Sequence, residues 1–116
     1  MPIIRGEDTE QAQRFPGVMR REMVNEAMGA RGLTVGELVM APGSSMSPHI
    51  HTNEEAMVIT EGELEASLND EICTVKSGDA VLAPSGIPHG FRNLSSAPAR
   101  IVFIHPVLQI VTHDPQ

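Results

Sequence analysis

The chain has 116 residues, of which 41% are hydrophobic, and a formal net charge of −7; this suits one domain with one core and one pocket, and excludes disorder or a two-domain array. An acidic balance, only 3% aromatics and no Trp or Tyr argue against nucleic acid, which demands basic surface and stacking rings, and weaken a sugar site. No apolar run is long enough to cross a bilayer, the N-terminus lacks a basic-then-apolar leader and the single Cys73 excludes an intrachain disulfide, so a cytoplasmic chain without membrane or nucleic-acid partners is expected.

In chain order, residues 1–14 read as an edge strand followed by an irregular arm. Val18–Val24 and Leu33–Met40 read as strands joined by a turn near Gly29-Ala30-Arg31-Gly32. Ala41-Pro42-Gly43-Ser44-Ser45 reads as a loop, because Pro and Gly break a ladder. Short strands follow at His49–Thr52, Glu55–Thr60, Glu63–Leu68, Glu71–Lys76, Ala80–Ala83, His89–Arg92 and Arg100–His105, with Asn69-Asp70 as a two-residue hairpin turn. Many short strands separated by turn signals predict an all-β barrel or sandwich. Glu61, Glu63 and Glu65 recur at period two and read as a solvated outer face. Cys73 is expected to be a buried, inert thiol. The tail, with Val107, Leu108, Ile110 and Val111, is too apolar to stay in water. It is expected to pack on the barrel or on a partner subunit in a homodimer.

Two segments carry the chemistry. The first is Gly43-x5-His49-x-His51-x3-Glu55-x6-Gly62, and the second is Gly78-x5-Pro84-x-Gly86-x2-His89-x3-Asn93. Together they resemble the two signature motifs of the cupin superfamily, with every spacing met. The resemblance covers residues 33–105 well and implies a single-domain cupin, a double-stranded β-helix or jelly-roll barrel. Residues 1–32 would then be an arm and strands packing on it, and 106–116 the tail. It further implies one divalent transition metal (Fe, Mn, Co, Cu, Ni or Zn) on His49, His51, Glu55 and His89. Strand geometry agrees, since His49 and His51 project to one face and Glu55 can return on the next strand at the same depth. Three neutral imidazoles and a carboxylate form a borderline-to-hard donor set that leaves positions open, unlike a closed thiolate zinc site. Glu54 competes with Glu55, and the family pattern favours Glu55.

Face-sharing extends the site. Phe91 follows His89 at two residues, and Ile101, Phe103 and His105 share a face on the last barrel strand. Met46, Met57, Ile59, Phe91, Ile101 and Phe103 are therefore expected to line an apolar pocket for a small-molecule substrate, with Leu38 or Met40. His105 is a possible supporting or fourth imidazole, placed at the strand end near the rim because Pro106 stops the ladder. Arg20, Arg21, Arg92 and Arg100 are available to orient an anion, with Arg92 facing away from the metal. The ligand set resembles that of cupin dioxygenases, which implies oxidation or cleavage of a small oxygenated molecule, with Glu55 as a catalytic proton acceptor. A non-redox lyase, isomerase or polyketide cyclase is the alternative, followed by a non-enzymatic binding module. No phosphate loop, serine elbow or CxxC pair offers other chemistry.

Overall fold

The computed structural model describes residues 2–115. The strands are β1 (Ala12–Phe15), β2 (Val18–Val24), β3 (Thr34–Met40), β4 (Ser45–His51), β5 (Glu55–Glu61), β6 (Glu63–Leu68), β7 (Glu71–Lys76), β8 (Ala80–Ala83), β9 (His89–Arg92), β10 (Ala99–His105) and β11 (Thr112–His113). They form two antiparallel sheets, ordered β1-β2-β3-β10-β5-β8 and β11-β4-β9-β6-β7. Crossovers place β10 between β3 and β5, and β9 between β4 and β6, the jelly-roll arrangement in which sequence-distant strands become neighbours. Among the described residues no helix is long and apolar enough to cross a membrane.

Alternation builds the core. On β10, Ala99, Ile101, Phe103 and His105 are buried while Arg100, Val102 and Ile104 are partly exposed. On β5, Glu55, Met57 and Ile59 take the inner face. Each large apolar side chain buried this way contributes about 1.5–3 kcal/mol. Gly36 on β3 is the cross-strand partner of Phe103 on β10, and a Cβ on Gly36 would lie 2.1 Å from Phe103 Cζ, so Phe103 occupies the space a side chain on β3 would need.

β4 carries the irregularity that matters most. Its register against β9 pairs Met46 with Phe91 and His49 with His89, so one extra residue sits on β4 between them. This bulge falls at Ser47-Pro48, where Pro48 has no N–H to give the ladder. It reverses the side-chain phase, so Met46, His49 and His51 all face the interior despite their different parity. Gly90 makes room opposite, since a Cβ there would meet the Met46 carbonyl oxygen at 2.6 Å.

Three expectations are corrected. The N-terminal order is reversed: a 3-10 turn spans Gly6–Asp8 and the strand comes last, at Ala12–Phe15. The tight turn at Pro16-Gly17 sets residues 12–15 beside β2, and Ile3 stays 76% exposed; Met1 lies outside the described residues. Ser45, expected in a loop, already pairs with Arg92 and begins β4. Cys73 is exposed, because β7 is the last strand of its sheet and its first four residues lie outside the core's cover. The tail folds back on its own barrel, pairing Thr112 with His51.

Candidate metal centre

The centre bridges the two sheets. His49 and His51 come from the end of β4 and His89 from the start of β9, in one sheet. Glu55 at the start of β5 and His105 at the end of β10 face them from the other. The three imidazole rings of His49, His51 and His89 lie 4.5–5.1 Å apart by centroid. One donor atom from each of His49, His51, Glu55 and His89 falls within 4.8 Å of all the others. Glu55 Oε1 stands 2.9 Å from His89 Nε2 and 3.4 Å from His51 Nε2. Metal–nitrogen bonds of about 2.1 Å place neighbouring donors roughly 3 Å apart in an octahedron, so the donor set fits a first-row divalent ion.

Hydrogen bonds fix the tautomers. Carbonyl oxygens only accept, so three Nδ1–H groups must donate. His49 donates to Ser47 O at 3.0 Å, His51 to Val111 O at 3.2 Å and His89 to Ile87 O at 3.0 Å. Each leaves Nε2 as the group turned to the centre, the outer-shell pattern that orients metal-binding histidines. His105 has the opposite tautomer. The Asn53 amide Nδ2 donates to His105 Nδ1 at 2.9 Å and to the Glu54 carbonyl at 2.6 Å. Swapping the amide would set two acceptors against each other at that distance. His105 therefore carries its proton on Nε2 and donates it to Glu55 Oε2 at 3.0 Å.

The electrostatics follow. Burial opposes ionisation of Glu55, but hydrogen bonds from His105, His51 and His89 outweigh it and hold the carboxyl far below the ordinary range. A carboxylate held ionised in this way suits a cation ligand. Burial depresses the His49 pKa, reinforced by repulsion from His89 and His51, against the Ser47 carbonyl. Burial would lower His89 also, yet the hydrogen bond to Glu55 prevails and its pKa is raised.

A cavity of about 580 Å³ opens over this group, within the range that takes small organic ligands. His49, His51, Glu55 and His105 reach its wall, while His89 lies behind them, 2% exposed. Met46, Met57, Phe103 and Leu38 line it as expected from the sequence. Ile59, Phe91 and Ile101 do not: they have the correct face but the wrong depth. Ile59 lies four residues from Glu55, about 13 Å along the strand, and packs with Phe91, Ile101 and Met40 in the core. His105 ends its strand, yet it is buried against Glu55 rather than exposed at a rim. Arg92 faces away to Glu65. Asn93 of the second motif is structural, donating to the Met40 and Ala97 carbonyls. Sequence reasoning missed Arg14, Phe15 and Asn25 on one side of the cavity, and Leu108, Gln109, Ile110 and Thr112 of the tail on the other. No motif marks these residues; the apolar tail was their one signal.

The cupin domain family profile matches residues 36–105. Protein SchB of Streptomyces halstedii is 31% identical over 102 residues, covering 87% of this chain and 74% of that protein. Polyketide synthase CurC of Streptomyces cyaneus is 28% identical over 102 residues, covering 87% of this chain and 66% of that one. The solved structure of the polyketide cyclase RemF from Streptomyces resistomycificus matches with a TM-score of 0.85 at 25% identity, over 98% of this chain and 84% of that one. With the jelly-roll topology, both motifs and the inter-sheet histidine cluster in place, the chain belongs to the cupin domain family.

Proposed function

We propose that this protein is a metal-dependent cyclase of polyketone-like substrates, holding one divalent ion on His49, His51, Glu55 and His89. The likeness to RemF carries the reading, because it extends over 98% of the chain and so takes in β1, β2 and the tail, which build the cavity walls outside the family profile. The kinship with CurC points the same way. The dioxygenase-like alternative rests on the donor set alone.

A bound divalent ion supplies Lewis acidity that polarises a carbonyl oxygen and favours loss of the adjacent proton. The chain's residues do the rest. Glu55 stays ionised between His89 and His105 and offers negative charge to the cation. The Nδ1–H bonds to Ser47, Val111 and Ile87 keep Nε2 of three imidazoles aimed at the ion. Leu38, Met46, Met57 and Phe103 exclude water and let a flexible oxygenated chain fold upon itself, the proximity effect that ring closure requires. The methionines adapt to a substrate whose shape changes as the ring forms.

The test is ring closure of a synthetic linear poly-β-ketone thioester, followed by chromatography and mass spectrometry with an oxygen electrode in line. An aldol closure loses water and consumes no oxygen. A protein-dependent product without oxygen uptake, lost after chelation and in His89→Ala, supports the reading. Oxygen uptake in proportion to product, or closure indifferent to chelation, overturns it.

A further inference from the structure

Two arginines line the cavity with no role in the metal centre. Arg14 belongs to β1 and Arg20 to β2. Arg14 is the residue skipped in the β1–β2 register: Gln13 pairs with Met19 and Phe15 with Val18, which leaves Arg14 without a partner. A bulge of this kind re-aims a side chain, and here it brings Arg14 and its neighbour Phe15 to the same cavity. The Arg14 guanidinium lies 4.4 Å over the Phe15 ring, and that of Arg20 lies 4.7 Å over Phe103.

Stacking occupies the face of a guanidinium and leaves its in-plane N–H donors free. Arg20 spends one of them on Glu22 at 2.9 Å. Arg14 has no ion-pair partner among the described residues. Arg21 and Arg100 share Glu37, and Arg92 takes Glu65. Two acids on the cavity wall are engaged too, Glu22 by Arg20 and Asn25, and Glu26 by the Gln109 amide. Arg14 is thus a stacked guanidinium without an ion-pair partner, on a cavity wall that also carries Arg20, Glu22 and Glu26. It suits a planar carboxylate, which a guanidinium fork binds through two parallel hydrogen bonds.

We infer that Arg14 and Arg20 form an anion-recognition subsite, so that the substrate is an apolar, oxygenated molecule bearing a carboxylate at the end remote from the metal. Leu38, Met46 and Met57, which line the same cavity, hold the middle of such a molecule. This rests on the cavity being the substrate site proposed above. Both arginines lie outside residues 36–105 matched by the family profile, so the subsite is no part of the two metal-binding motifs.

The probe is 6-hydroxy-2-naphthoate, with hydroxyl and carboxylate at opposite ends, against its methyl ester. The chain has no Trp or Tyr, so naphthalene fluorescence reports binding to the metal-loaded protein without interference from those side chains. The acid should bind at least tenfold tighter than the ester, and this preference should weaken with salt. It should shrink to within twofold in Arg14→Gln/Arg20→Gln and partly return in Arg14→Lys/Arg20→Lys. Metal content should stay at the wild-type value in both. Arg14→Gln alone, which gives up the stacking on Phe15 but no ion pair among the described residues, should lose part of the preference with little change in melting temperature. Equal affinity for acid and ester, or a preference that survives the double Gln variant, overturns the inference while leaving the metal-dependent reading intact. An acid preference that persists after chelation supports the subsite even if the metal-dependent reading fails.

Discussion

His105 is the most informative position to change. It donates its Nε2 proton to Glu55 Oε2 at 3.0 Å and receives the Asn53 amide at 2.9 Å, with side-chain exposures of 3% for His105 and 7% for Glu55. His105→Leu removes both bonds. A hydrogen bond to a charged group is worth about 1.5–3 kcal/mol and a neutral one about 1 kcal/mol, so the metal-free protein should lose about 2.5–4 kcal/mol. An unfolding entropy of about 2.1 cal/mol/K per residue converts this, for a chain of this length, into a melting temperature lower by roughly 10–16 °C. Metal affinity should weaken by about 10–100-fold, the usual consequence of removing a group that orients a ligand. Differential scanning calorimetry on chelated protein measures the first quantity, and competition with a fluorescent chelator the second. His105→Gln keeps an N–H donor and should recover part of each. A melting temperature within about 2 °C of wild type, with metal affinity within twofold, would show that His105 does not hold Glu55. A loss beyond about a thousandfold exceeds what an orienting group explains and would make His105 a direct ligand.

Four further outcomes follow from the geometry. His51→Ala and His89→Ala should each release metal and remove the stabilisation that binding to the folded state provides; elemental analysis showing full occupancy in both would refute the ligand assignment. Glu55→Gln should weaken metal binding and Glu54→Gln should not, since Glu54 is exposed; the reverse result would exchange their roles. The pH dependence should invert with metal. The raised His89 pKa stabilises the metal-free fold below the ordinary value of 6.5, and this contribution is lost as pH rises through the folded-state value. The lowered Glu55 pKa adds stability above 4.5 that is lost as pH falls. The lowered His49 pKa works the other way, so chelated His49→Ala protein should melt lower at pH 8 than at pH 6, while loaded wild-type protein, freed of the proton competing at His89, should melt higher; parallel shifts would contradict this. Truncation after Gln109 removes the Val111 carbonyl from His51 Nδ1 and should weaken metal about 10–100-fold with the barrel intact; calorimetry on the chelated truncation separates this from unfolding.

The strands of the barrel and the four residues that converge on one point were legible because alternation and motif spacing are local signals. Depth was not. Period two assigns Ile59, Phe91 and Ile101 to the inner face, as found, but says nothing of how far along the barrel the cavity extends. Parity also fails across a bulge: Met46 and His49 share a face only because Ser47-Pro48 inserts an extra residue. The cavity wall outside the motifs was invisible for a different reason. Arg14, Asn25 and Gln109 are brought together by β1, β2 and the returning tail, contacts between residues up to 83 positions apart that leave no periodic trace. Cys73 misled because an alternating pattern does not reveal which strand lies at the edge of a sheet.

The hydrogen bond from His51 to the Val111 carbonyl spans 60 residues. During synthesis at about 5–20 residues per second, His51 waits roughly 3–12 seconds for that partner. His49, His51 and Glu55 leave the ribosome together, whereas His89, His105 and Val111 follow later. A half-formed site thus exists for seconds before the residues that complete and orient it are made. Any ion captured in that interval meets only two imidazoles and a carboxylate on an unfolded chain, a weak and indiscriminate trap. The four candidate ligands are complete once His89 is made, and His51 is oriented only when the C-terminal segment pairs with β4.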